Sequence, residues 1–139
     1  MIAISDRPLD IFALTNAAAP SDGAVASFVG VVRDHSGAVK VKSLLYEAYV
    51  PMALKCFEQI VAETHQRWTI SNISIAHRTG LLQVGEAAVV VAVFSEHRQA
   101  ALSACAYAID RLKAIAPIWK KEFTEEGKSY WSKNCTLPH

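Results

Sequence analysis

One stretch, residues 87–122 (AAVVVAVFSEHRQAALSACAYAIDRLKAIAPIWKKE), constrains the fold of this chain more than any other. Its opening run, 87–94, has no polar side chain and is rich in β-branched valine, which predicts a strand buried on both faces. Ser95 then suits an N-cap, and Glu96 suits the positive end of a helix dipole. The helix is expected to reach about Ile115, with Leu102, Cys105, Ile109 and Leu112 as its core stripe. Ala101, Ala104, Ala106 and Ala108 would let it lie close to a sheet. Pro117 enforces its end, and residues 118–123 and 129–131 follow as a hairpin turning at Glu125, Glu126 and Gly127. Strand, helix and strand thereby carry His97, Arg98, Lys113, Lys120 and Lys121 on an apolar framework.

The rest of the chain supplies partners for that unit. Residues 2–4 read as a short edge strand, and Pro8 opens a short helix to about Asn16. Residues 24–32 (AVASFVGVV) are so apolar that they predict a central strand, broken abruptly by Arg33-Asp34-His35-Ser36-Gly37. Residues 41–49 form the next strand. Pro51 starts a helix whose buried stripe is Leu54, Phe57, Val61 and Trp68, with Lys55, Glu58, Glu63 and Arg67 toward water. Residues 73–78 are a strand, with turns at Thr79-Gly80 and Gly85-Glu86. The end, 134–139, has the composition of a frayed terminus. Hairpins occur where parallel crossovers would not fit, so the expected class is α+β or mixed α/β, mainly antiparallel, as one domain over 1–139.

Composition narrows the function. With 52% hydrophobic residues, 19% charged residues and a formal net charge of +1, the chain is neither disordered nor a binder that relies on global charge. An anion site would have to be local. No basic segment precedes a long apolar run and no stretch reaches membrane-span length, which gives a cytoplasmic expectation. Cys56, Cys105 and Cys135 are odd in number and lack CxxC spacing, so reduced thiols are expected rather than disulfides or a zinc site. No Gly-rich phosphate loop follows any strand.

The candidate chemistry is cationic. His97 and Arg98 at a helix start, where backbone N–H groups face outward, suit a phosphate or carboxylate, and they equally suit a solvated helix end. Lys113 lies one helical step beyond Ile109 and flanks the buried stripe, as a nucleophile, an acid/base or a snorkelling side chain. Lys120 and Lys121 alternate on a strand, so only one can face a given site. Arg33 and His35 end the first core strand with the same two readings. Trp68, Trp119 and Trp131 are expected as core or interface anchors, and His65 and His77 have no metal-ligand spacing.

Four ordered blocks then carry a resemblance: FVGVVRDHSG (28–37), LLYEAYVPMA (44–53), IAHRTGLLQVGEAAVVVAVFSEHR (75–98) and AIDRLKAIAPIWKKE (108–122). With these, the chain resembles the large, catalytic subunit of molybdopterin synthase. The resemblance implies an enzyme that converts cyclic pyranopterin monophosphate to molybdopterin. Its sulfur would come from the C-terminal thiocarboxylate of a small ubiquitin-like partner, with no metal or other cofactor. It implies catalytic roles for Lys113 and Lys120, and substrate contacts from Phe28, Val31, Val32, Arg33, His97, Arg98, Lys121 and Glu122. It further implies a heterotetramer around a dimer of large subunits, with His97 and Arg98 serving the opposite protomer's site. Some relatives continue beyond the position of Trp131 with a longer helical tail that contributes to the partner contact. The rival reading is a non-catalytic anion-binding scaffold.

Overall fold

A computed structural model describes the backbone of residues 1–133 and the side chains through Ser132. The apolar strand β7 (Ala87–Ser95) is interior in a four-stranded sheet ordered β1 (Ile2–Ser5), β5 (Asn72–Arg78), β7, β2 (Ala24–Val31). Val90, Val91, Ala92, Val93 and Phe94 are fully buried, as a strand covered on both faces must be. Val91 and Val93 meet the layer formed by α2 (Val50–Arg67) and α3 (Arg98–Ile115), while Val90 packs with Leu14 of α1 (Ile11–Thr15) on the other face. Among the described residues, only β1 and β5 pair in parallel.

A second sheet joins β3 (His35–Ser36), β4 (Val39–Ala48), β8 (Ile118–Thr124) and β9 (Ser129–Lys133), with β6 (Gly80–Gln83) also paired to β4. Its pairings are all antiparallel, and the architecture is the expected mixed α+β class. Among the described residues no helix is long and apolar enough to cross a membrane. The end expected to fray at 134–139, including Cys135, lies outside the described residues.

Several expectations need correction. The run 24–32 is an edge strand rather than a central one: β2 ends the sheet, with Val25 43% and Val31 54% exposed. Apolar composition marks a surface that wants cover, and within one chain β2 lacks that cover on its outer side. Ser95 still belongs to β7 and its hydroxyl donates to the His97 carbonyl at 2.5 Å, so the helix N-cap is His97. The alanines set the phase of α3: Ala101, Ala104 and Ala108 are fully buried, which turns Leu102 outward to 60% exposure and leaves Ala106 exposed. Pro8 precedes α1, which is capped by Asp10 accepting from the Ala13 N–H at 3.0 Å. In α2 the buried stripe is Ala53, Phe57, Ile60 and Thr64, with Leu54, Val61 and Trp68 flanking it.

Glu63 also departs from its expected place in solvent. Its carboxylate accepts from Arg111 Nε at 2.9 Å, Arg111 Nη2 at 3.1 Å and Tyr107 Oη at 2.7 Å, tying α2 to α3. The Arg67 guanidinium lies 4.7 Å from the centroid of the Tyr107 ring, completing the clamp. The Arg111 hydrogen bonds, aided by Gln59 and Tyr107, bring the Glu63 carboxyl down to about 2. A depressed carboxylate stabilises the fold above its unfolded value and loses that contribution as pH falls through its folded value. Urea unfolding should therefore show stability declining between about pH 4.5 and pH 2, with Glu63→Gln flattening that decline.

Candidate active site

The path of the chain after α3 builds the site. Helix hydrogen bonding closes with the Ala116 N–H donating to the Leu112 carbonyl at 3.0 Å, and Pro117 prevents continuation. The Tyr49 N–H donates to the Pro117 carbonyl at 3.1 Å, which pins this corner to the junction of β4 and α2. Lys113 therefore stands in the last turn of α3, and Lys120 returns on β8 after the corner.

Strand register decides what β8 contributes. Leu44 pairs with Glu122 and Tyr46 with Lys120, so these four side chains share one face, while Lys121 opposes Leu45 on the other. Lys120 and Glu122 lie two residues apart with Nζ to Oε1 at 3.7 Å. Together with Lys113 they border a cavity of about 340 Å³. The end of β2 supplies the opposite wall through Phe28, Gly30 and Val31, and the segment after it brings in Arg33 and His35. The lining thus carries Arg33, Lys113 and Lys120 against the single carboxylate of Glu122, an excess of positive charge in a chain that is nearly neutral overall.

The polar groups around the cavity are individually held. Burial, reinforced by Glu122, pushes the Tyr46 phenol up to about 12, so it stays protonated. The His35 ring and Asp34 Oδ1 are 2.8 Å apart, and this hydrogen bond lowers the Asp34 carboxyl. Gly30 sits at a β-bulge where a Cβ would meet Val89 Cγ1 at 2.7 Å and Phe28 Cε1 at 3.3 Å. No group of His, Cys, Asp or Glu among the described residues could hold a metal ion. The Cys105 thiol is buried and raised by that burial, which suits packing rather than nucleophilic use.

Of the residues singled out in the sequence, Phe28, Val31, Arg33, Lys113, Lys120 and Glu122 come together here. Val32 turns into the core at 3% exposure, held by its N–H to Glu86 and its carbonyl from Gly85. Lys121 lies over the Phe123 and Trp131 rings on the far face, at 5.6 and 5.5 Å from their centroids. His97 and Arg98 line a separate hollow at the opposite end of α3. Lys113 stands fifteen positions beyond Arg98 on α3, roughly 22 Å along the axis. The lining also includes Tyr46, which sequence reasoning left among the strand residues. The signal for it was its alternation with Leu44, readable only once β8 is placed beside β4.

The family model described as MoaE protein matches residues 4–115. This chain belongs to the MoaE family. It is 49% identical over 115 residues to the molybdopterin synthase catalytic subunit of Bos taurus, covering 83% of this chain and 61% of that protein. It is 48% identical over 108 residues to the protein of the same name from Bacillus subtilis, covering 78% and 69%. The crystal structure of molybdopterin synthase from Staphylococcus aureus superimposes with a TM-score of 0.88 at 42% identity, covering 93% of this chain and 94% of that one. The alignment thus spans about three fifths of the bovine relative's length.

The packing at Gly30 makes a direct prediction. Gly30→Ala should lower stability by about 1–3 kcal/mol, since Val89 and Phe28 must both give way, and should narrow the cavity. Chemical denaturation together with a structure of the variant measures both effects.

Proposed function

We propose that this chain is the catalytic subunit of a molybdopterin synthase, working in the cytoplasm as one domain. Its substrate would be cyclic pyranopterin monophosphate, and its sulfur donor the thiocarboxylated C-terminus of a small ubiquitin-like partner. The observation that carries this reading is the gathering of Arg33, Lys113 and Lys120, from three separate parts of the fold, around one cavity with an aromatic wall. A pterin monophosphate needs both an apolar wall and anion partners, and this lining offers both.

The chemistry assigned to each residue follows from its place. Lys113 faces the partner's terminal acyl carbon, where an ammonium stabilises the charge that develops as sulfur departs. Lys120, beside Glu122, moves protons and balances charge at the pterin. Arg33 takes the phosphate, whose charge grows when its ring opens. The exchange is redox-neutral: each sulfur leaving an acyl carbon is replaced there by oxygen from water. On the pterin the two new C–S bonds replace C–O bonds, one to the phosphate as its ring opens and one whose oxygen leaves as water, so two equivalents of donor give one dithiolene. Val32 and Lys121 act from behind the wall, Val32 by anchoring the end of the β2 run and Lys121 by covering Trp131.

His97 and Arg98 enter through a second copy. The outer side of β2 and α3 is an apolar groove bordered by Phe28, Leu102 and Ile109. Phe28 also borders the cavity, and Leu102 also borders the hollow of His97 and Arg98, so the three places are continuous. A twofold partner packed along this groove would cover the open edge of β2 and carry its own His97 and Arg98 toward the cavity.

Reconstitution with a thiocarboxylated small subunit and the cyclic pterin tests the reading through dithiolene formation. Lys113→Ala and Lys120→Ala should each lower the rate about 100-fold or more. Tight pterin binding with no turnover by the unaltered protein would favour the anion-binding scaffold. Arg33→Ala should chiefly weaken substrate binding.

A further inference from the structure

Beside the cavity lies a buried titratable group that the proposed chemistry leaves unused. His77 of β5 is fully buried, paired in register with Val89 of β7 and Ile4 of β1. An imidazole in such a place costs stability unless its ring nitrogens are partnered. Nδ1 lies 2.8 Å from the Arg78 carbonyl, and because a carbonyl can only accept, Nδ1 carries the hydrogen. In the neutral ring Nε2 is then an acceptor.

The surroundings keep the ring neutral. Burial pushes the imidazole down to about 4, and the positive charge of Lys113 acts in the same direction. Two elements bring polar groups against it. Tyr46 of β4 meets it edge to face, with centroids 5.1 Å apart at 69°, and Lys113 of α3 borders the same cavity as Tyr46, its charge acting on the ring. Both residues line the cavity, so His77 sits directly behind two of its walls.

We propose that His77 is a positioning residue for Lys113: the bond from Nδ1–H to the Arg78 carbonyl fixes the tautomer, Tyr46 fixes the ring plane, and the Nε2 lone pair is thereby presented to the Lys113 ammonium. A leucine of similar size would fill the space without offering an acceptor. Groups that orient a functional side chain in this way typically affect activity by about 10–100-fold when removed. The inference rests on the synthase reading for its consequence in turnover.

Two experiments test it. In protein with ¹⁵N-labelled histidine, His77 should appear as the Nδ1–H tautomer, and Lys113→Met should shift the Nε2 resonance and raise the titration midpoint above about 4. An Nε2 signal unmoved by Lys113→Met, or the opposite tautomer, overturns the proposal. In the reconstituted reaction, folded His77→Leu should lose about tenfold in kcat with KM for the pterin little changed, and His77→Gln, which retains an acceptor, should recover most of it. Equal losses in both variants, or a loss confined to KM, would also overturn it. An inactive unaltered assembly would sink the synthase reading, while the NMR comparison, which needs no turnover, still decides the contact.

Discussion

The structure depends on the close seating of α3 against β2 and β7. Fully buried Ala101, Ala104 and Ala108 let the helix axis approach the sheet, and everything at its two ends is placed by that approach. At the N-terminal end it leaves His97 and Arg98 exposed; at the C-terminal end it presents Lys113 to the cavity. The clamp of Glu63, Arg111 and Tyr107 then locks α2 onto α3, so the lysine is held by a packed layer rather than a loop. Replacing any of these alanines with a larger residue would lift the helix and move both ends together.

The site is local in its electrostatics. Three cations and one carboxylate converge in a chain whose formal charge is +1. Tyr46 and His77 stay neutral beside them because both are buried, which removes competing charge from the neighbourhood of Lys113. Fixed cations next to neutral, ordered dipoles suit an anionic substrate whose charge increases during reaction.

Much of this was legible in the sequence, and the failures share one cause. The buried strand 87–94, the helix end at Pro117, the last hairpin and the antiparallel class could be read from local pattern, because composition and turn residues decide them. What depended on neighbours could not. β2 reads as central because it is apolar, yet it lies at an edge, since sequence pattern records the need for cover and not who supplies it. Leu102 reads as core for the same reason and is exposed beside that edge. The Glu63 clamp and the neighbourhood of His77 join residues far apart in the chain, and no spacing rule could pair them. Arg33, Lys113 and Lys120 were found as candidates from residue type and resemblance, but their convergence needed the register of β8 on β4 and the bulge after Gly30.

The central claim is geometric: a donor's C-terminal tail reaches the cavity at Lys113, with Arg33 and Lys120 on its other sides. A crystal structure of this chain with the thiocarboxylate-bearing small subunit bound measures it most directly. The carbonyl oxygen of the donor's last glycine should lie within roughly 3 Å of the Lys113 ammonium, the reach of a hydrogen bond to the developing charge. A tail that ends elsewhere, against the far face of β8 or in the hollow of His97 and Arg98, would contradict it.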